Sequence, residues 1–276
     1  MRFGFQVPNF GAFGDVRAVA DLAAEAEEHG WDGFFVWDHI DYNGIEPNAD
    51  PWILLTAIVL ATERVCVGPM VTPLPRRHIG KLAREVSTLD LLSGGRVILG
   101  VGAGGADFPE SSAFGESTDP RTRADIVDES LEVLCQWWQP GPVSFQGNHI
   151  QASIDVTGPT AQQPRVPIWL AGTWPSRRPF RRAAQWDGVY PMKADYATGG
   201  IATPEETADI AGFVAEHREA GDFDIIHNRS SVLGGSPADV EAQANAGATW
   251  WIAGAAPFED LTTARRYIQA GPPTPA

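Results

Sequence analysis

The sequence predicts an α/β fold, a single (β/α)8 TIM barrel. Three observations carry that reading. Short apolar runs alternate with helical stretches from end to end, the alternation completes eight times, and the 276 residues suit one such barrel. A doubly wound open sheet uses the same alternation, but eight full repeats favour closure, which leaves no edge strands.

The strand candidates are residues 3–7, 33–37, 65–70, 96–101, 166–171, 188–190, 223–227 and 248–253. Most are nearly continuous apolar runs, the pattern of parallel strands covered on both faces. After the first strand, residues 15–29 place Val16, Val19, Ala20, Ala23 and Ala26 on one helical face, with Gly30 as the stop. The longest apolar run, residues 52–61, follows the second strand. After the third, residues 79–92 set Leu82, Val86, Leu89 and Leu92 at helical spacing before Ser93-Gly94-Gly95. The fourth strand leads into an insertion, residues 103–121, on the side where barrel active sites are built. A helix over 122–138 then stops at Pro140. Residues 139–165 belong to the opposite face and hold a hairpin around Gly147-Asn148. Later helices begin near Pro175, Pro204, Pro237 and Phe258, since a first turn tolerates proline. The barrel domain is expected over residues 1–270, with a Pro-rich, frayed tail at 271–276.

Composition narrows the function. The chain carries 35 Asp+Glu against 20 Lys+Arg, a net charge of −15, which argues against unassisted binding to nucleic acid or an anionic membrane. The longest apolar run is about half of the ~20 residues that a membrane span needs. No basic leader follows Met1, so a cytoplasmic protein is expected. Cys66 and Cys135 lie far apart in apolar stretches and read as buried packing residues, as do Trp52, Trp137 and Trp138. No HxH, HExxH, GxSxG or paired strand-end carboxylates appear. Asp38 and Asp107 come nearest to the last, so metal, serine-hydrolase and glycosidase chemistry are not expected.

The candidate site residues stand at the C-terminal ends of strands. The second strand ends in Trp37-Asp38-His39. An imidazole there can exchange a proton with a ligand in the barrel mouth; the alternative is a satisfied structural side chain. Gly68-Pro69-Met70-Val71-Thr72-Pro73 reads as an irregular backbone, a bulge toward a planar ligand or a simple strand-ending turn. Gly100-Val101-Gly102-Ala103-Gly104-Gly105 allows close approach to a ligand but lacks GxGxxG spacing and a following Gly-Lys-Ser/Thr. Gly172-Thr173, with Ser176 at a helix start and Arg177, Arg178, Arg181 and Arg182 after it, forms either a phosphate cradle or a solvated helix face.

Together, residues 73–78 and 92–104, with 3–8, 32–39, 65–91, 121–150 and 164–188, resemble the bacterial-luciferase-like monooxygenase superfamily; the last fifth matches only in pattern. The resemblance implies a barrel binding FMN or the deazaflavin coenzyme F420 at its C-terminal mouth. Trp37-Asp38-His39 resembles the deazaflavin branch, which implies an oxidoreductase transferring hydride between cofactor and a small organic substrate. His39 and Asp38 would then lie beside the reactive ring and carry catalysis. Met70–Val71 would support the ring's back face, often through a non-prolyl cis peptide. Gly102, Ala103 and Gly104 would approach the cofactor side chain, and Gly172, Thr173, Ser176 and Arg177 its phosphate, with Arg76, Arg77 and the other arginines after Pro175 also toward the anionic tail. The alternatives are an FMNH2-dependent monooxygenase fed by a separate flavin reductase, and a degenerate non-catalytic flavin-binding barrel. A homodimer is implied as well. In one departure, Gly105 stands where sugar-phosphate dehydrogenases of this branch place a glutamate. That leaves Asp107 or Glu110 as the proton-transfer partner and counts against sugar-phosphate oxidation.

Overall fold

Eight parallel strands wind into a barrel, and a helix follows each. The computed structural model describes residues 1–105, 108–155, 158–195, 200–219, 221–229 and 233–274. In chain order the units are β1 (Arg2–Val7) and α1 (Val16–Glu28), β2 (Gly33–Val36) and α2 (Pro51–Ala61), then β3 (Cys66–Pro69), β4 (Thr72–Pro73) and α3 (Ile79–Ser93). The next are β5 (Leu99–Gly102) and α4 (Pro120–Trp138), a hairpin of β6 (Val143–Gln146) and β7 (Gln151–Ile154), and β8 (Ile168–Trp174) with α5 (Arg177–Ala183). The last three are β9 (Gly188–Lys193) with α6 (Pro204–Ala215), β10 (Asp224–Arg229) with α7 (Pro237–Asn245), and β11 (Trp250–Gly254) with α8 (Leu261–Gln269).

The helix starts follow from local chemistry. Asp15, Asp50, Asp119 and Asp260 each accept backbone N–H groups of the first turn, and Thr203 and Ser236 form reciprocal capping boxes with Glu206 and Asp239. Such caps are worth about 1 kcal/mol each. Gly94 ends α3 in the left-handed region, at φ +69. The hairpin is held to α4 by Glu129, which accepts the N–H groups of Asn148, His149 and Ile150 at 2.8, 2.9 and 2.7 Å.

Strand neighbours run β3-β2-β1-β11-β10-β9-β8-β5-β4. The third repeat is split. β3 pairs with β2, the chain passes through a cis Met70–Val71 peptide, and β4 then pairs with β5. Closure is completed on the other side of that break. Val67 N–H donates to Arg96 O at 3.0 Å, and Ile98 N–H donates to Val67 O at 2.9 Å. This seam differs from the sequence expectation of one regular strand over 96–101: residues 96–98 form only a bridge at Val97, and β5 proper starts at Leu99. The two segments approach so closely that a Cβ on Gly68 would overlap the Ile98 carbonyl.

Two cores result. One fills the space between sheet and helices, where Trp52, Trp137 and Trp138 lie buried as expected. The other plugs the lumen with Phe35, Trp169 and Trp250, whose ring centroids are 5.2–5.9 Å apart. Gly4, Gly33 and Gly188 make room for it, since side chains there would strike Phe35 or Trp169. Above the plug the Tyr190 hydroxyl lies 2.8 Å from both Gln6 Oε1 and Asn228 Oδ1.

Two expectations change, the burial of the cysteines and the exact starts of two helices. Cys66 and Cys135 are free but half-buried rather than buried, and burial pushes both thiols up. Residues 271–273 of the expected tail are half-buried, with Gly271 N–H on Ile268 O. The helix after Pro175 starts at Arg177 and that after Phe258 at Leu261. Among the described residues no helix is long and apolar enough to cross a membrane.

Two predictions follow from packing. Gly68→Ala forces the closure seam apart and is expected to cost about 2 kcal/mol or more, read as a lower urea midpoint; unchanged stability would show the seam to be slack. His227 on β10 is 2% exposed, and among the described residues its Nδ1 has no hydrogen-bond partner. Burial, then the charge of Arg229, lowers its pKa to about 3 against a weaker opposing pull from Asp239. Below about pH 6.5 the unfolded chain therefore takes up a proton that the folded one refuses, so stability is full above that pH and drains as pH falls toward the folded value. Between pH 7.5 and 5 the wild type should lose more urea stability than His227→Gln; equal losses would remove His227 as the cause.

Candidate active site

The C-terminal ends of the strands surround a cavity of about 710 Å³. Its size falls within the ~300–1,000 Å³ of small-molecule and cofactor sites. β2 delivers Trp37, Asp38 and His39 to one wall, the β3–β4 break supplies Met70 and Val71, and β5 with its loop supplies Gly102–Gly105, Phe108, Glu110 and Ser111. β8 and β9 add Ala171, Gly172, Thr173, Tyr190 and Met192, and Phe258 stands at the rim.

His39 is fixed at both backbone and ring. Its N–H donates to Asn9 Oδ1 at 3.1 Å, and Asn9 Nδ2 donates to its carbonyl at 2.8 Å. Ring Nδ1 sits 2.7 Å from Glu110 Oε1, while Phe10, Trp37, Tyr42 and Phe108 enclose the imidazole at centroid distances of 5.0–6.0 Å. Among the described residues no hydrogen bond reaches Nε2, and the side chain remains 17% exposed on the cavity wall.

Glu110 is buried and saturated. Oε1 also meets Arg76 Nη1 at 2.6 Å, and Oε2 accepts the N–H groups of Ile40 and Asp41 at 2.6 and 2.9 Å. Burial alone would raise its pKa. The His39 hydrogen bond, the Asp41 N–H and the charges of His39 and Arg76 outweigh that and hold the carboxyl down to about 2. Asp38 is also buried, but its carboxylate is occupied: Thr72 Oγ1 donates at 2.7 Å, Arg76 Nη2 at 2.8 Å, and Arg77 Nη2 donates as well.

The other sequence candidates divide. Met70, Val71, Gly102, Ala103, Gly104, Gly172 and Thr173 all line the cavity with Asp38 and His39. Ser176 and Arg177 do not; the Arg177 guanidinium lies over the rings of Trp174 and Phe213, 4.1 and 4.8 Å from their centroids. Arg178, Arg181 and Arg182 face an outer groove between α4 and α5, where Arg182 pairs with Asp128 at 2.8 Å. The arginines after Pro175 therefore turn outward, and of the basic side chains expected at the tail only Arg76 lines the cavity. Asp107 lies outside the described residues.

Sequence reasoning missed Asn9, Tyr42, Phe108, Phe258 and Arg123. Buried Arg123 reaches back from α4 to the carbonyls of Ala103, Ser111 and Ser117 at 2.9, 3.2 and 2.9 Å and so fastens the loop that carries Glu110. Only the sequence position of Arg123 beside the Asp119-Pro120 helix start hinted at it.

A planar redox ring suits this cavity. Neighbouring strands β5 and β8 present Gly102 and Gly172 to it, and Gly104 and Gly105 continue the same wall, so backbone rather than side chain borders the space. The remainder is mainly aromatic and apolar, with hydrogen-bonding groups confined to a few positions.

Comparisons with known proteins agree with this architecture. The chain is 32% identical over 183 residues to an F420-dependent glucose-6-phosphate dehydrogenase of Nakamurella multipartita, covering 64% of this chain and 52% of that protein. It is 29% identical over 168 residues to a 5,10-methylenetetrahydromethanopterin reductase of Methanopyrus kandleri, 57% of this chain and 46% of the relative. The chain thus spans about half the length of the curated relatives it matches. The solved structure of an F420-dependent secondary alcohol dehydrogenase superposes with a TM-score of 0.77 at 17% identity, over 99% of this chain and 98% of that one, which establishes the shared fold. The family described as luciferase-like monooxygenase matches residues 1–273, and on that match, with the barrel and its mouth as described, the chain belongs to the luciferase-like monooxygenase family.

Proposed function

We propose that the chain is an oxidoreductase that transfers hydride between the deazaflavin coenzyme F420 and a small organic substrate, with His39 exchanging the accompanying proton. The observation that carries this reading is the imidazole held on the cavity wall by Glu110, with Nε2 left for a ligand. When bound, the deazaflavin gives or takes the hydride. Met70, Val71, Gly102, Ala103 and Gly104 border the space for its ring, and Gly172 and Thr173 hold the far wall. The description of the Nakamurella multipartita relative, which names F420, supports the choice of cofactor.

The chain's own residues define the proton path. Glu110 is kept anionic by Arg76 and by two backbone N–H groups, so it accepts, and Nδ1 of His39 donates to it. That fixes the neutral ring as the tautomer whose Nε2 lone pair takes a proton from a substrate, and the charged ring as the donor in the reverse direction. In both states the ring keeps the same Nδ1 contact to Glu110, at 2.7 Å. Asp38 makes no such contact; by binding Arg76 and Arg77 it is a positioning residue. A second reading, a reduced-FMN monooxygenase supplied by a separate reductase, rests on the family's description.

Parallel titrations of the purified chain with oxidised F420 and FMN test the cofactor: binding of F420 is expected, and tight FMN binding without F420 would transfer the assignment to the second reading. His39→Asn is expected to lower kcat by ~10²–10⁴ while leaving the F420 Kd within a few-fold. Unchanged turnover removes His39 from the chemistry.

Glu110 carries a pH signature of its own. Its carboxyl titrates near 4.3 when unfolded and about 2 when folded, so its contribution is present above the first value and fades as pH falls through the second. The stability gap between wild type and Glu110→Gln in urea should thus be largest near neutrality, on the order of 3 kcal/mol. It should shrink from pH 4.5 downward, and a gap that is constant with pH would show that the carboxylate charge is not what Arg76 and His39 require.

A further inference from the structure

We propose that Arg123 is a positioning residue: it turns the Ala103–Gly104 peptide so that the Gly104 N–H faces the cavity as a donor to an electron-rich atom of the bound cofactor. This deepens the oxidoreductase reading and rests on it. The starting observation is a cation in an unfavourable place. Arg123 is 1% exposed and stands in the first turn of α4, at the positive end of the helix dipole. Among the described residues no carboxylate pairs with it. Burial, then the charge of Arg76, lowers its pKa against an opposing pull from Glu116. Carbonyls take the place of its water: Ala103 O receives both Nε, at 2.9 Å, and Nη2, while Nη1 serves Ser111 O and Ser117 O. Side chains that break local rules in this way concentrate at functional sites.

The direction of the Gly104 N–H follows from the peptide plane. The Ala103–Gly104 bond is trans, and in a planar trans peptide the C=O and the following N–H point opposite ways. Ala103 and Gly104 border the cavity, whereas Arg123 lies behind them. A carbonyl drawn back to Arg123 therefore sets the N–H toward the open space, and among the described residues no hydrogen bond reaches that N–H. Two charge-assisted bonds on one carbonyl also polarise the amide, which strengthens its N–H as a donor. Gly104 belongs to the same device. It stands at φ +73, and a Cβ there would lie 2.8 Å from Arg123 Nη2 and 2.9 Å from Pro73 Cβ, so the glycine makes room for the guanidinium.

The test starts with the wild-type chain, isotopically labelled and titrated with oxidised F420. The assigned Gly104 amide proton should move downfield as F420 binds, the mark of a new hydrogen bond. Arg123→Gln should raise the F420 Kd about tenfold, the scale of one such bond, and return the absorption band of bound F420 toward its position in free F420. Arg123→Lys, which keeps the charge and a donor for Ala103 O, should recover part of both effects. A Gly104 amide that stays in place while F420 saturates the chain overturns the inference, whether or not the variants fold. So does an Arg123→Gln chain that folds and binds F420 with wild-type Kd and absorption band. If FMN binds and F420 does not, the cofactor reading falls alone, and the same amide followed through the FMN titration decides this inference. Binding of neither overturns both.

Discussion

Arg76, 2% exposed at its side chain, lies between two buried carboxylates, Asp38 and Glu110, and none of the three has bulk water to solvate it. Moving such ions out of water costs several kcal/mol each, a penalty offset only where hydrogen bonds replace the lost hydration. Here they do. Glu110 gains the N–H groups of Ile40 and Asp41, Asp38 gains Thr72 and Arg77, and the imidazole of His39 completes the set. The array links the ends of β2 and β4, the turn after β4 and the loop after β5. Geometry at the mouth is consequently a property of the whole array, and His39 inherits its orientation from charges it does not itself carry.

That array exists because the barrel breaks its own regularity at one place. The third strand pairs with β2 before Met70–Val71 and with β5 after it. The switch at Met70–Val71 carries the chain across the seam, so Thr72 reaches Asp38 and the following turn brings Arg76 and Arg77 under it. Below the mouth, the Phe35–Trp169–Trp250 plug and the Tyr190–Gln6–Asn228 layer fill the lumen, which confines the open space to the C-terminal end. A filled lumen with an open rim is what places strand-end residues in contact with a ligand.

Much of this was legible before any coordinates. All eight strands lie within or across the apolar runs, because a strand covered on both faces must be apolar throughout, and several helix starts were marked by proline, which a first turn tolerates. The site was legible only where it is local: Asp38-His39, Met70-Val71 and Gly102–Gly104 were visible as strand-end irregularities. Glu110 stood there only as one of two candidate acids, and its pairing with His39 was not legible, since the two are 71 positions apart and meet through the folding of a loop with no periodic pattern. For the arginines after Pro175 the sequence left two readings open, a phosphate cradle or a solvated helix face, also for a physical reason. Four cations in six positions look like an anion site, but a seven-residue helix must turn some of them outward, and Trp174, Phe213 and Asp128 were there to receive them.

The glycine at 105 gives the last step. Its loss of a carboxylate relative to the sugar-phosphate pattern looks, in sequence, like loss of function. In the fold, a Cβ at Gly105 would lie 2.7 Å from the Phe108 ring, and that ring is part of the collar around His39. The carboxylate next to the imidazole comes instead from Glu110, two residues beyond Phe108, and Ser111 closes the turn onto the Gly105 carbonyl. A glutamate at 105 and a phenylalanine at 108 compete for one space, so the two arrangements are alternatives rather than additions. Acid position and the aromatic wall at this mouth therefore meet in a single steric contact, that of residue 105 with the Phe108 ring.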